Sequence, residues 1–293
     1  MQQRIVYFFS EGYRIEADYF LPDHLDPGDK PRPGIVLCHG YGGMRFQLLP
    51  DFGRIFADAG YAVLSFDYRG FGGSEGQKFR LMPLEQVEDI RNAITFLQAQ
   101  PEVDAQRIGL WGTSNGGAHI AYVAGIDDRV KVAVGQVGYG DGRRLFMDIR
   151  NEEQRRELLE VLAADRRERV LTGHGGGADI ITILCNPETR EYFSEVFKEF
   201  PEFRSEIPWE SVEAHMEYRP IDVVHRIAPR ALMLIGSEND ELCRIDGYRE
   251  LYERAGEPKR LVSLSLGGHY EIYSPEWVEK TAAIALEWYQ EHL

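Results

Sequence analysis

The sequence predicts an α/β fold: a mostly parallel sheet with helices on both faces, an antiparallel hairpin at the amino end and a helical insertion. Three observations lead there. Short apolar runs of strand length alternate with amphipathic stretches of helix length through the first half of the chain. That rhythm breaks after about residue 138 and returns near residue 231. Glycine-rich turns follow several of the apolar runs directly. The 293 residues suit one large domain with an insertion, or two small ones. With 43% apolar and 12% aromatic residues, global disorder is excluded.

Arg4 to Phe9 and Tyr13 to Leu21 are β-rich around Glu11-Gly12 and read as the hairpin. PDHLDPGDKPRPG (22–34), which holds His24, reads as a polar loop. Ile35 to Cys38 is a short buried strand running into His39-Gly40-Tyr41-Gly42-Gly43. Leu48 to Ala59 reads as a helix stopped by Gly60. Tyr61 to Phe66 is the next strand, followed by the turn-rich DYRGFGGSEG (67–76). Over 83–99, Leu84, Val87, Ile90, Ala93, Ile94 and Leu97 recur at helical spacing, with Pro83 in the first turn. Ile108 to Trp111 and Val130 to Val134 are further strands, with a helix opening at Asn115 between them.

Arg143 to Arg169, Thr189 to Phe200 and Val212 to Met216 read as helices of the insertion, interrupted at GHGGG (173–177). The core is thus expected over 1–138 and 219–293, and the helical insertion over 139–218. Ala231 to Ile235, the helix from Tyr248 to Gly256, Arg260 to Leu264 and the helix from Trp277 to His292 resume the alternation.

A formal net charge of −15 repels phosphate backbones and anionic lipid, so neither nucleic-acid nor membrane binding is expected. The three cysteines, Cys38, Cys185 and Cys243, are widely spaced and odd in number. No Cys/His cluster has metal-ligand spacing, and no metal or other cofactor is expected. The amino terminus carries neither a leader pattern nor a membrane span, and with the cysteine usage this points to the cytoplasm. A two-fold homodimer is the assembly that the frequency of symmetric oligomers favours.

The chemistry concentrates at Gly112-Thr113-Ser114-Asn115-Gly116, a G-x-S-x-G pentapeptide between a strand and a helix. Alone, it is also compatible with a glycine-rich turn and an incidental serine. A serine nucleophile needs a base, a group that orients the base, and donors for the developing oxyanion. His269, in Gly267-Gly268-His269-Tyr270 after the last strand, is the candidate base. Asp240, in Gly236-Ser237-Glu238-Asn239-Asp240, is the candidate orienting acid, with Glu238, Glu241 and Asp246 as rivals. The oxyanion donors expected are the backbone N–H groups of Asn115 and of Tyr41, with the Tyr41 phenol as an additional donor. His39 reads as a structural histidine bracing its loop. GHGGGAD (173–179) lacks the lysine and spacing of a phosphate loop and reads as a hinge or turn.

HGYGG, DYRGFGGSEG, GTSNGG, the GSEND segment and GGHYEIY, in this order over nearly the whole chain, resemble the α/β-hydrolase family. His39 to Gly43, Trp111 to Gly117 and the run 267–273 are most similar to bacterial esterases of the dienelactone-hydrolase, X-prolyl-peptidase and cocaine-esterase branch. The resemblance implies Ser114, Asp240 and His269 as the triad and the insertion as a cap over the site. It departs from the family at the acid, because Asn239 stands three residues after Gly236 where the acid commonly sits. A carboxylesterase acting on a small-molecule ester or related acyl substrate is expected. C–C bond hydrolysis, thioester hydrolysis and acyl transfer use the same triad. A non-catalytic binding protein on this scaffold is the contrasting expectation.

Overall fold

The structure, a computed structural model, describes residues 1–23, 30–201, 204 and 206–293. Most of the loop read over 22–34, with His24, lies outside the described residues, as does Phe203 of the insertion. The hairpin forms from β1 (Gln2–Ser10) and β2 (Tyr13–Leu21), paired antiparallel around the turn at Glu11-Gly12. β3 (Arg32–Cys38), α1 (Leu49–Asp58), β4 (Ala62–Phe66), α2 (Pro83–Gln98), β5 (Val103–Thr113), α3 (Asn115–Ile126) and β6 (Val130–Gln136) follow. After the insertion come β9 (Ala231–Ser237), α9 (Ile245–Arg254), β10 (Lys259–Leu264) and α10 (Pro275–His292). The eight strands lie in the order β1-β2-β4-β3-β5-β6-β9-β10. The three at the hairpin side pair antiparallel, and every pairing from β4 onward is parallel.

Alternation along the strands divides the core in two, because successive strand side chains point to opposite faces. Ile35, Leu37, Val63, Trp111, Val132, Val134, Met233 and Ile235 face α1 and α10. Val36, Leu64, Phe66, Leu110, Ala133, Leu232 and Leu234 face α2, α3 and α9. A sheet buried on both faces is why its strands read as near-continuous apolar runs.

Between β6 and β9 lie α4 (Gly142–Met147), α5 (Glu152–Thr172), β7 (Gly177–Ala178), α6 (Ile180–Ile183), α7 (Pro187–Glu199), β8 (Ile207–Pro208) and α8 (Trp209–Met216). The charged stretch read as one helix over 143–169 is two. Asn151 and Gln154 form a reciprocal capping box that starts α5 afresh. The glycine run after it is an ordered turn. Gly173 takes the left-handed conformation, with φ 80°, that closes α5. Asp165 then accepts the Gly176 N–H at 2.7 Å, and Gly177 pairs in the ribbon of β7 with β8.

Candidate active site

The elbow is built by sterics. Ser114 sits between β5 and α3 with φ 55° and ψ −120°, a region that non-glycine residues rarely occupy. Such a conformation costs roughly 1–3 kcal/mol and persists only where the surroundings enforce it. Here β5 enters and α3 leaves so close together that a Cβ on Gly112 would stand 2.3 Å from the Gly116 carbonyl oxygen. A Cβ on Gly116 would stand 2.1 Å from the Cys38 carbonyl oxygen. The Ser114 N–H donates to the Gln136 carbonyl at 2.9 Å, which ties the elbow to the end of β6. Behind it, the Tyr248 hydroxyl of α9 is packed among Gly117, Gly135 and Gly138. A Cβ on these glycines would fall 2.5, 2.8 and 2.5 Å from that oxygen.

His269 and Asp240 arrive from the loops after β10 and β9. His269 Nδ1 lies 2.6 Å from Asp240 Oδ2, and its Nε2 lies 3.2 Å from Ser114 Oγ. Asp240 Oδ1 accepts the N–H groups of Leu242 and Cys243 at 2.9 and 2.7 Å, which fixes the carboxylate plane. Both His269 and Asp240 are buried. Burial pushes the imidazole toward neutrality, but the Asp240 charge and hydrogen bond outweigh it and hold His269 well above the ordinary 6.5. Of the rival acids, Glu238 reaches outward to Arg249 and Ser263, Glu241 is exposed, and Asp246 pairs with Arg249. Asn239 donates to the Leu266 carbonyl instead of facing the histidine.

The loop after β3 passes directly over the serine: a Cβ on Gly40 would lie 3.2 Å from Ser114 Cβ. Tyr41, the next residue, therefore stands close to Ser114. Its ring runs edge-on against Phe146 and His215 of the insertion, and its hydroxyl is buried with no hydrogen-bond partner among the described residues. Asn115 is the first residue of α3, where a helix leaves its N–H without an intrahelical acceptor. The Asn115 side chain points away into a buried polar cluster. Its Nδ2 meets Gln86 Oε1 at 3.3 Å and His119 Nε2 at 3.0 Å, and its Oδ1 accepts from Tyr139. His119 Nδ1 completes the cluster with the Tyr218 hydroxyl at 3.0 Å, and burial keeps that imidazole well below 6.5. His39 is also buried, pushed down to about 4, and its Nδ1 bonds the Gly40 carbonyl at 2.9 Å.

A cleft opens onto Ser114. Met44, Leu48, Leu49 and Leu242 line it from the sheet domain, and Leu184, Tyr192 and Phe193 from the insertion. Among the described residues, no Asp, Glu, Lys or Arg lines it. Sequence reasoning missed Tyr273, whose hydroxyl accepts from Thr113 at 3.1 Å and lies 3.5 Å from His269 Nε2. It stands four residues after the histidine, inside the GGHYEIY run. It also missed Glu188, whose carboxylate binds the loop of His269. Among the described residues, no group of three or more His, Cys, Asp or Glu could hold a metal, and no helix is long and apolar enough to cross a membrane.

A family profile described as serine aminopeptidase, S33, matches residues 29–140. A 31.7 kDa protein from the traX-finO intergenic region of Escherichia coli is 35% identical over 282 residues, covering 96% of this chain and 98% of that one. Thiohydrolase aneE of Aspergillus aculeatus is 25% identical over 252 residues, covering 80% of this chain and 77% of its own. Polyketide transferase grgF of a Penicillium species is 26% identical over 259 residues, covering 84% of each chain. The crystal structure of the α/β hydrolase GrgF from Penicillium sp. sh18 superposes with a TM-score of 0.81 at 22% identity, covering 100% of this chain and 99% of that one. With the sheet order, the strained serine and these relationships together, the chain belongs to the α/β-hydrolase superfamily.

Proposed function

We propose that this hydrolase cleaves carboxylic esters through an acyl-enzyme on Ser114. His269 Nε2 takes the Oγ proton as the oxygen attacks the carbonyl carbon, then returns it to the leaving alcohol. Asp240 holds the Nδ1–H tautomer and stabilises the imidazolium. The N–H groups of Tyr41 and Asn115 receive the oxyanion, and water activated by His269 releases the acid. The insertion acts as a cap that supplies part of the acyl or alcohol pocket. The observation that carries this reading is the chain Ser114–His269–Asp240 at the foot of a cleft whose described lining holds no Asp, Glu, Lys or Arg. An aminopeptidase would need a carboxylate to take the substrate ammonium, since a buried charge requires a partner. Among the described residues the cleft lining offers none, which favours neutral, apolar substrates.

Thioester hydrolysis or acyl transfer is the second reading, favoured by relatives named thiohydrolase and polyketide transferase. A panel of p-nitrophenyl esters of rising acyl length, assayed with wild type and Ser114→Ala, tests the first. Substitution should reduce turnover on the order of 10⁴–10⁶-fold. Ester turnover that survives in Ser114→Ala sinks the acyl-enzyme. Ser114-dependent labelling by a fluorophosphonate without ester turnover moves the scissile bond to a thioester or C–C bond, or the acceptor away from water.

A further inference from the structure

The loop bearing His269 is gripped from outside the sheet domain. Glu188, the second residue of α7, directs both carboxylate oxygens at it. Oε2 accepts the His269 N–H at 3.0 Å and Oε1 accepts the Tyr270 N–H at 2.9 Å. Gly268 makes this approach possible, since a Cβ there would stand 2.4 Å from Glu188 Oε1 and would meet no nearer atoms than that carboxylate. The same two segments are joined twice more. Thr189 Oγ1 lies 3.0 Å from the Tyr270 hydroxyl, and the Tyr192 ring stacks on Tyr270 at 4.2 Å and 14°. Asn186 caps α7 through the Thr189 N–H at 2.8 Å and Pro187 opens it, so the helix itself fixes the backbone of Glu188.

An acidic residue in a first helical turn is ordinary, because it complements the helix dipole. That accounts for an acid at 188. It does not account for two oxygens spent on two consecutive backbone N–H groups of the histidine loop, or for a bare Cα directly beneath them. We propose that Glu188 is a positioning residue for His269. It holds the imidazole on the line between Asp240 and Ser114 only while α7 is seated, so docking of the insertion assembles the general base. The inference rests on the acyl-enzyme reading above.

The test uses Glu188→Ala, Glu188→Gln, Gly268→Ala and the double variant Glu188→Ala/Gly268→Ala. Active sites are counted by exhaustive fluorophosphonate labelling, and kcat per labelled site, KM and Tm are measured. Glu188→Ala should lower kcat per site about 10- to 100-fold, the penalty of displacing a catalytic group by about 1 Å, with KM changed far less. Glu188→Gln should lose less, since its single amide oxygen still accepts one N–H. Gly268→Ala should reproduce the Glu188→Ala loss by expelling the carboxylate. The double variant should be no slower than Glu188→Ala, because the three atoms nearest the added methyl all belong to the Glu188 carboxylate. A lower Tm or fewer labelled sites with unchanged kcat per site assigns Glu188 a structural role only and overturns the proposal. Multiplying losses in the double variant overturn it too. Labelling that persists in Ser114→Ala refutes the acyl-enzyme instead, so the two failures are told apart.

Discussion

Gly116→Ala tests the elbow directly. The new Cβ would start 2.1 Å from the Cys38 carbonyl oxygen and 2.8 Å from the His39 carbonyl oxygen, both rigid backbone atoms at the end of β3. Relief to ordinary contact near 3.5 Å moves the first turn of α3 away from β3 by about 1 Å or more. Ser114 and Asn115 ride on one side of that gap and Tyr41 on the other. The shift therefore separates the two proposed oxyanion donors and displaces Ser114, the proposed nucleophile. Overpacking of this kind costs about 1–3 kcal/mol, which in a chain of this size lowers Tm by about 2–5 °C. Misplacement by about 1 Å reduces turnover about 10²-fold. Gly247→Ala in α9 is the control. Its Cβ would meet the Gly140 nitrogen at 3.6 Å and Tyr139 Cα at 3.8 Å, which is ordinary contact. Alanine favours a helix over glycine by up to about 1 kcal/mol, so this variant should match or exceed wild-type Tm at wild-type turnover. Thermal unfolding and p-nitrophenyl ester kinetics read both quantities. A Gly116→Ala protein with wild-type Tm and kcat would refute the steric account of the elbow.

Asp240→Asn should reduce kcat about 10⁴-fold by favouring the wrong histidine tautomer, while Glu238→Gln stays near wild type; the reverse ranking would reassign the acid. The acid limb of kcat/KM should fall above pH 6.5, because His269 is held up by Asp240 and must be neutral to act as base. Asp240→Asn should move that limb down, and an unmoved limb refutes the coupling. The same raised value makes the stabilisation by the pair fully present below about pH 6.5 and lost as pH rises through the folded-state value. The Tm gap between wild type and Asp240→Asn should accordingly narrow on going alkaline. Tyr41→Phe should keep turnover within about two-fold and fold at least as stably, since it removes a buried hydroxyl that has no partner among the described residues; a ten-fold loss would give the phenol a part in binding the oxyanion.

The sheet was readable because its strands are apolar on both faces, yet their ends were not. β5 begins at Val103, five residues ahead of the apolar run, because Asp104 to Arg107 project beyond the core and carry no hydrophobic signal. Ser114 and His269 stand out in the sequence because glycines mark the places where backbone must approach backbone. Asp240 does not stand out from Glu238, Glu241 and Asp246. What distinguishes it is burial beside His269, a property of the folded chain. Glu188 was invisible for a different reason. It serves backbone N–H groups 81 residues away, and main-chain partners leave no trace in side-chain pattern. The nearest clue was Asn186-Pro187, a helix-start signal that places Glu188 in the first turn. His119 is one turn beyond the serine on the same helix. The structure gives it to the cluster that anchors the Asn115 amide, a task that only the arrival of Gln86 and Tyr218 reveals.

Tyr248 and the three glycines around its hydroxyl also bear on how such a chain can diverge. Gly117, Gly135 and Gly138 come from α3, the end of β6 and the segment after it, whereas the tyrosine comes from the helix that follows the acid loop. A methyl group at any of the three collides first with the phenol oxygen. The tyrosine must therefore shorten before any of the glycines can grow, and at Gly117 and Gly138 backbone atoms 2.8–2.9 Å from the new methyl must shift as well. Mutational paths through these four positions run in one order and not the other. A descendant that keeps the tyrosine inherits the glycines as a set, whatever substrate its cleft has come to accept.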